Sequence, residues 1–113
     1  MKIMITGACG HIGSYIVENI SKIKRIKEIT LIDNLSSKRY SSLFNLNQKK
    51  KIKVNFFNKD ISQKNALKNF KKVDVIIHCA SLTNAEESFN IRKKMFENNL
   101  NCMKTVVDFC IKK

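Results

Sequence analysis

Apolar and polar positions follow two rhythms along the chain. Ile3-Met4-Ile5 is a short apolar run of strand length that stops at Thr6-Gly7. From there apolar residues recur every three or four positions, at Ile12, Ile16, Ile20 and Ile23. That spacing lines one face of a helix and predicts α-structure over about His11 to Lys24. A second strand is expected over Glu28 to Asp33 and a short amphipathic helix around Tyr40, Leu43, Phe44 and Leu46. A third strand follows over Ile52 to Phe57, then a short helix capped by Ser62, with Ala66, Leu67 and Phe70 on its apolar side. Val73 to Cys79 has a continuous apolar centre, which suits a parallel strand covered on both faces. A polar loop from Ala80 to Glu87 leads to a last helix ending at Ile111, whose apolar positions are Phe89, Phe96, Leu100, Met103, Val107 and Cys110. Alternating strands and helices predict an α/β fold, a parallel sheet with right-handed crossovers and helices on both faces. The expected strand order is 3-2-1-4, and 113 residues allow one small domain.

The first strand-to-helix turn carries the candidate chemistry. Gly7, Gly10 and Gly13 are the only 3 glycines of the chain, and they sit at a spacing of three. A strand, a glycine turn and a helix form the context of a dinucleotide-binding turn. A pyrophosphate needs backbone N–H donors at close range and the positive end of a helix. A side chain on the turn would hold the phosphates away, and glycine adopts positive φ at little cost. The simpler alternative is a tight turn with no ligand.

Asp33 is the second signal. It ends the second strand, twenty residues after Gly13. An acid there can accept hydrogen bonds from the ribose hydroxyls of an adenosine and would repel a 2′-phosphate. The cofactor expected is therefore NAD, with NADP disfavoured. Lys38 and Arg39, just downstream, soften that preference. Without the glycine turn, a loop aspartate after a strand would read as a cap or turn residue.

Composition adds limits. Lys+Arg 22 against Asp+Glu 9 gives a net charge of +13. Such a balance can signal a nucleic-acid or anionic-membrane partner. The lysines are scattered, however, with one dense run at Lys49-Lys50-Lys51, and no aromatic residues interleave with them as a base-stacking surface requires. The reading is a solvated basic surface and a composition bias toward lysine, isoleucine and asparagine, with neither a nucleic-acid nor a membrane partner. Cys9, Cys79, Cys102 and Cys110 form no C-x-x-C pair and no zinc spacing. Free thiols in a reducing cytoplasm are expected, with no metal. Three apolar residues before Thr6 are too few for a signal peptide or a membrane span.

The turn, Thr6-Gly-x-x-Gly-x-x-Gly13, resembles the extended short-chain dehydrogenase/reductases, the NAD-dependent epimerase/dehydratase family. The resemblance extends over the whole chain, and nucleotide-sugar 4-epimerases give the nearest pattern. Leu31-Ile-Asp-Asn-Leu-Ser36 is similar to the family's adenosine loop. Asp60-Ile61 matches a D-[IL] pair whose carboxylate sits near the adenine. His78-Cys79-Ala80-Ser81 matches H-x-A-[AG], and Asn98-Asn99-Leu-Asn101 matches N-N-V-N, in which the position of Asn99 lies near the cofactor. The resemblance implies the N-terminal part of an NAD(P)-binding Rossmann domain. The implied cofactor contacts are Gly7, Gly10, His11, Ile12, Gly13, Asp33, Asn34, Ser36, Lys38, Asp60, Ile61, Cys79, Ala80, Ser81 and Asn99. It also implies a nucleotide-sugar substrate and a homodimeric parent. Read singly, Asp60 could cap a helix, His78 could be a satisfied core imidazole, and Asn99 could be solvated. Two positions depart from the pattern. Thr83 stands where the 4-epimerases have lysine, and Cys102-Met103 replaces a glycine-threonine pair.

Family chemistry uses a Tyr-x-x-x-Lys pair with a nearby Ser or Thr. The tyrosine moves a proton at a sugar hydroxyl while hydride passes to the nicotinamide. Here Tyr15 and Tyr40 are followed at the fourth place by Asn19 and Phe44. No catalytic residue is therefore assigned. Three functions compete: a piece of a nucleotide-sugar epimerase or dehydratase, a non-catalytic NAD-binding module, and a reductase of a non-sugar carbonyl.

Overall fold

The computed structural model describes residues 1–20, 22–39, 41–44, 52–83 and 92–113. Four strands, β1 (Lys2–Thr6), β2 (Glu28–Asp33), β3 (Lys53–Asn58) and β4 (Val75–His78), form one sheet in the order β3-β2-β1-β4. All three pairings are parallel. The helices are α1 (His11–Ile20), the short α2 (Ser41–Phe44) and α3 (Arg92–Lys112). The fold class and strand order read from the sequence hold.

Strand alternation divides the core in two. Ile3 and Ile5 of β1 and Ile29 and Leu31 of β2 pack with Val17 and Ile20 of α1. Met4 of β1 and Ile32 of β2 pack with Cys102, Val106 and Phe109 of α3, together with Ile61 and Leu67. Successive strand residues point to opposite sides, so α1 and α3 cover opposite faces. The central strands, paired on both edges, are nearly fully buried. β3 and β4 each have one neighbour and stay half open.

Several expectations need correction. Helix α1 ends at Ile20 rather than near Lys24, because the Lys22 and Ile23 amides turn back to the Asn19 and Ile20 carbonyls. Lys22, Lys24, Arg25 and Lys27 therefore lie beyond its last turn, and Ile12 and Ile23 are exposed. No helix forms after Ser62. Residues 61–69 make successive turns, with the Ala66 amide on Gln63, Lys68 on Asn65 and Phe70 on Leu67. Asn65, at φ 64°, interrupts any helical run. Burial survives that change: Leu67 is in the core, with Ala66 and Phe70 against it.

The largest correction concerns α3. Phe96, Leu100, Met103, Val107 and Cys110 are exposed, and the buried face is Cys102, Thr105, Val106 and Phe109. The helix carries two apolar stripes, and periodicity cannot say which one meets the sheet. β4 is also shorter than expected and only half-buried, since it sits at the sheet edge. Expectations for Tyr40, Leu46, Phe89 and the loop over 84–87 lie outside the described residues, as does that for the Phe44 side chain.

Candidate nucleotide site

The turn between β1 and α1 is built from its amides. Gly7 N–H and Ala8 N–H donate to the Ile32 carbonyl at 2.8 and 3.2 Å, and Gly10 N–H donates to the Gly7 carbonyl at 3.1 Å. Cys9 N–H donates to Asp33 Oδ2 at 2.9 Å. The first helical bond is Ser14 N–H to the Gly10 carbonyl at 2.9 Å. By helix geometry, the N–H groups of His11, Ile12 and Gly13 have no acceptor within α1. They mark the positive end of the helix.

The three glycines do different work. Gly7 adopts φ 69°, and a Cβ there would meet the Ala80 amide nitrogen at 2.5 Å. Gly7 lets the chain after β4 approach the turn. A Cβ on Gly13 would overlap the Gly7 carbonyl, so this glycine brings α1 down onto the turn. At Gly10 the nearest atom to a Cβ would be the Gly7 carbonyl oxygen, at an ordinary 3.4 Å. Packing explains the first and third glycines and leaves the middle one unexplained. The space above Gly10, next to the α1 amides, is a cradle that a side chain would fill.

Asp33 organises the neighbouring loop. Besides holding Cys9, its Oδ1 accepts the Leu35 N–H at 2.8 Å. Asn34 Oδ1 accepts the Ser36 N–H at 3.0 Å, and the Lys38 N–H returns to the Leu35 carbonyl at 3.0 Å. Leu35 and Lys38 both adopt positive φ, 59° and 55°. Each Asp33 oxygen keeps a lone pair for a further donor. Arg39 Nη1 donates to His11 Nδ1 at 2.7 Å, which draws the loop to the head of α1.

The other motif residues make local contacts. Asp60 Oδ1 accepts the Ser62 N–H at 2.9 Å, so Asp60 shapes a turn. Ile61 is a core residue, leaving only its backbone for a ligand. Thr6 Oγ1 and His78 Nδ1 share a 2.7 Å hydrogen bond across β1 and β4. Burial pushes the His78 pKa down and that of Cys79 up. Cys102 is also raised, first by burial and then by the Asp60 charge. Asn99 clamps the segment after β4: its Oδ1 accepts the Leu82 N–H at 2.8 Å, and its Nδ2 donates to the Leu82 carbonyl at 3.2 Å. Ser81 is exposed, while Cys79 and Ala80 are half-buried beside Gly7. Gly7, Gly10, His11, Asp33, Cys79 and Ala80 thus gather at one end of the sheet. The Asp33–Cys9, Arg39–His11 and Thr6–His78 contacts had no sequence signal, since each joins residues that no motif pairs.

Among the described residues, no group of His, Cys, Asp or Glu could hold a metal. No disulfide joins Cys9, Cys79, Cys102 and Cys110. No described helix is long and apolar enough to cross a membrane.

A four-stranded parallel sheet with a glycine turn at the head of its first helix defines a Rossmann-like domain. Residues 4–113 match the model of the 3-beta hydroxysteroid dehydrogenase/isomerase family. The chain belongs to that family, within the NAD-dependent epimerase/dehydratase group of the short-chain dehydrogenase/reductases. It is 31% identical over 103 residues to a UDP-glucose 4-epimerase of Yersinia enterocolitica, covering 88% of this chain and 30% of that protein. The UDP-Glc/GlcNAc 4-epimerase of Campylobacter jejuni superposes with a TM-score of 0.81 at 30% identity, over 98% of this chain and 33% of that one. DesIV, a dTDP-glucose 4,6-dehydratase of Streptomyces venezuelae solved with NAD bound, shares the fold (TM-score 0.78, 20% identity, 96% and 36% coverage). The chain thus spans about a third of the length of these relatives.

Proposed function

We propose that this chain is the NAD-binding portion of a nucleotide-sugar epimerase or dehydratase. The observation that carries the reading is the Gly10 position, open where packing does not require it and adjacent to the α1 amides. The amides of His11, Ile12 and Gly13 would receive the pyrophosphate. Asp33 would accept the adenosine ribose hydroxyls through its remaining lone pairs, which favours NAD over NADP. Asn34, Ser36 and Lys38 would border the ribose, and Asp60 and Ile61 the adenine. Cys79, Ala80, Ser81 and Asn99 would line the segment leading toward the nicotinamide. When bound, NAD supplies a hydride acceptor for a sugar hydroxyl. The chain contributes binding and orientation to that chemistry. No Tyr-x-x-x-Lys occurs in it, so turnover from this chain alone is not expected. The second reading is a non-catalytic NAD-binding module. A cytoplasmic setting and a homodimeric parent complete the proposal.

Calorimetry with NAD tests it. The chain should bind, and Gly10→Val should lose binding while keeping its circular dichroism spectrum. Unchanged affinity in a folded Gly10→Val chain would overturn the assignment. Coupled assays with UDP-glucose, UDP-galactose and dTDP-glucose should give no turnover above the Gly10→Val background. Clear turnover would refute the division between binding and catalysis.

A further inference from the structure

Thr105 lies on the buried face of α3 and is only 9% exposed. Its hydroxyl has no hydrogen-bond partner among the described residues. A threonine inside a helix can return its hydroxyl to a carbonyl of the preceding turn, and this one does not. Buried polar groups are nearly always paired, so each exception calls for an explanation. The explanation here is a crevice of about 530 Å³ that Thr105 lines, between the C-terminal half of α3 and the turns around Leu67. Its volume falls in the range of small-molecule sites.

The lining has a definite chemistry. Leu67 and Phe109, both buried, give it an apolar and partly aromatic floor. Three lysines, Lys68, Lys112 and Lys113, line it against the carboxylates of Asp108 and of the 113-residue chain's own C-terminus at Lys113. The C-terminal end of α3 adds roughly half a negative charge, which the lysines still outweigh. Asn65 offers an amide beside them. The nucleotide site uses the head of α1 and the C-terminal end of β2, and shares no residue with this crevice.

We infer that the crevice between α3 and the 65–68 turn is a second ligand site, selective for a small amphipathic organic anion. A flat apolar body would lie on Leu67 and Phe109. Its carboxylate would face the lysines, and the Thr105 hydroxyl would donate to it or to a polar substituent.

The test is a two-dimensional ¹⁵N NMR titration of the full 113-residue chain with 2-naphthoate, and with neutral 2-naphthamide as control. Saturable shifts should appear at the amides of residues 65–68 and 105–113, with a dissociation constant below about 1 mM. The double variant Lys68→Glu/Lys112→Glu should weaken naphthoate at least about tenfold. Thr105→Val should lower affinity, and Thr105→Ser, which keeps the hydroxyl, should restore it. Shifts confined to the exposed α3 stripe at Phe96, Leu100 and Met103 would overturn the inference. So would equal binding of naphthamide, or unchanged affinity in the folded charge-reversed variant.

Discussion

The Asp33 carboxylate holds the Cys9 amide at 2.9 Å and so ties the end of β2 to the glycine turn after β1. Its other oxygen holds the Leu35 amide at 2.8 Å. The residue that reads as a ribose ligand is thus also the organiser of both loops that would surround the ribose. Hydrogen bonds to a charged group contribute about 1.5–3 kcal/mol each. Asp33→Ala should therefore destabilise the fold by roughly 3–6 kcal/mol and reduce discrimination between NAD and NADP. Urea denaturation gives the first quantity and calorimetry with both nucleotides the second. A variant of unchanged stability would mean that the two bonds contribute nothing net. Equal or tighter binding of NADP by the unaltered chain would contradict the NAD preference.

The division of labour among the glycines makes a graded prediction. Gly13→Ala must push α1 off the Gly7 carbonyl, and Gly7→Ala adds a left-handed φ to a clash with Ala80. Overpacking of this kind costs about 1–3 kcal/mol, and Gly7→Ala should be the worse. Gly10→Ala should be nearly neutral, since its Cβ meets only an ordinary contact. Thermal unfolding of the three variants ranks them. A Gly10→Ala chain as unstable as Gly13→Ala would show that the middle glycine is structural.

The strands and the glycine turn were legible because each depends on local pattern, and the strand order followed from the fold type that they imply. Ile3-Met4-Ile5 and Ile29 to Asp33 are apolar runs of strand length, and three clustered glycines leave few readings. The face of α3 was not legible. Phe96, Leu100, Met103 and Val107 make as good a helical stripe as Cys102, Val106 and Phe109, and only the sheet decides between them. The turns over 61–69 escaped because Asn65 takes a left-handed conformation that its neighbours do not announce. In the candidate site the motif positions were readable, but the partners of Asp33, His11 and Asn99 come from other segments.

Lys38 carries a backbone conformation that suits glycine, with φ 55°. A side chain in that region costs about 1–2 kcal/mol, and glycine recovers part of it. Lys38→Gly should raise stability by roughly 0.5–1 kcal/mol. A lower denaturation midpoint in that variant would mean that the lysine side chain itself stabilises the loop.

His78 makes stability depend on pH. Burial lowers its folded pKa below the usual histidine value. The unfolded chain therefore takes up a proton near its own pKa of about 6.5, while the folded chain resists. The unfolded state binds more protons in that window, so stability rises with pH there and is lost as pH falls below about 6.5. Protonation of Nδ1 also limits the bond with Thr6 to one in which the ring donates. Denaturant midpoints between pH 7.5 and 5.5 should fall toward acid, and His78→Gln should flatten the slope. An equal slope in the variant would assign the effect to other groups.

The two sheet edges are guarded unequally. β3 begins with Lys53, whose side chain is well exposed, and is followed by Lys59. β4 is Val-Ile-Ile-His with no charge in the strand, and Val75 is half open to solvent. An edge of apolar, β-branched residues with unpaired N–H and C=O groups is a template for another chain. The net charge of +13 opposes such pairing, but charge repulsion is screened beyond about 10 Å at 0.1 M salt, whereas strand pairing acts at contact. The 113-residue chain should therefore self-associate, and more so as salt rises. Light scattering after size exclusion, at low and high salt, measures the mass directly. Val75→Lys places a charge on the open edge and should return the chain to monomer at both salt levels. If the unaltered chain is monomeric throughout, the edge is not adhesive. If Val75→Lys associates as strongly as the parent, the contact lies elsewhere, and the exposed α3 stripe of Phe96, Leu100 and Met103 becomes the surface to alter next.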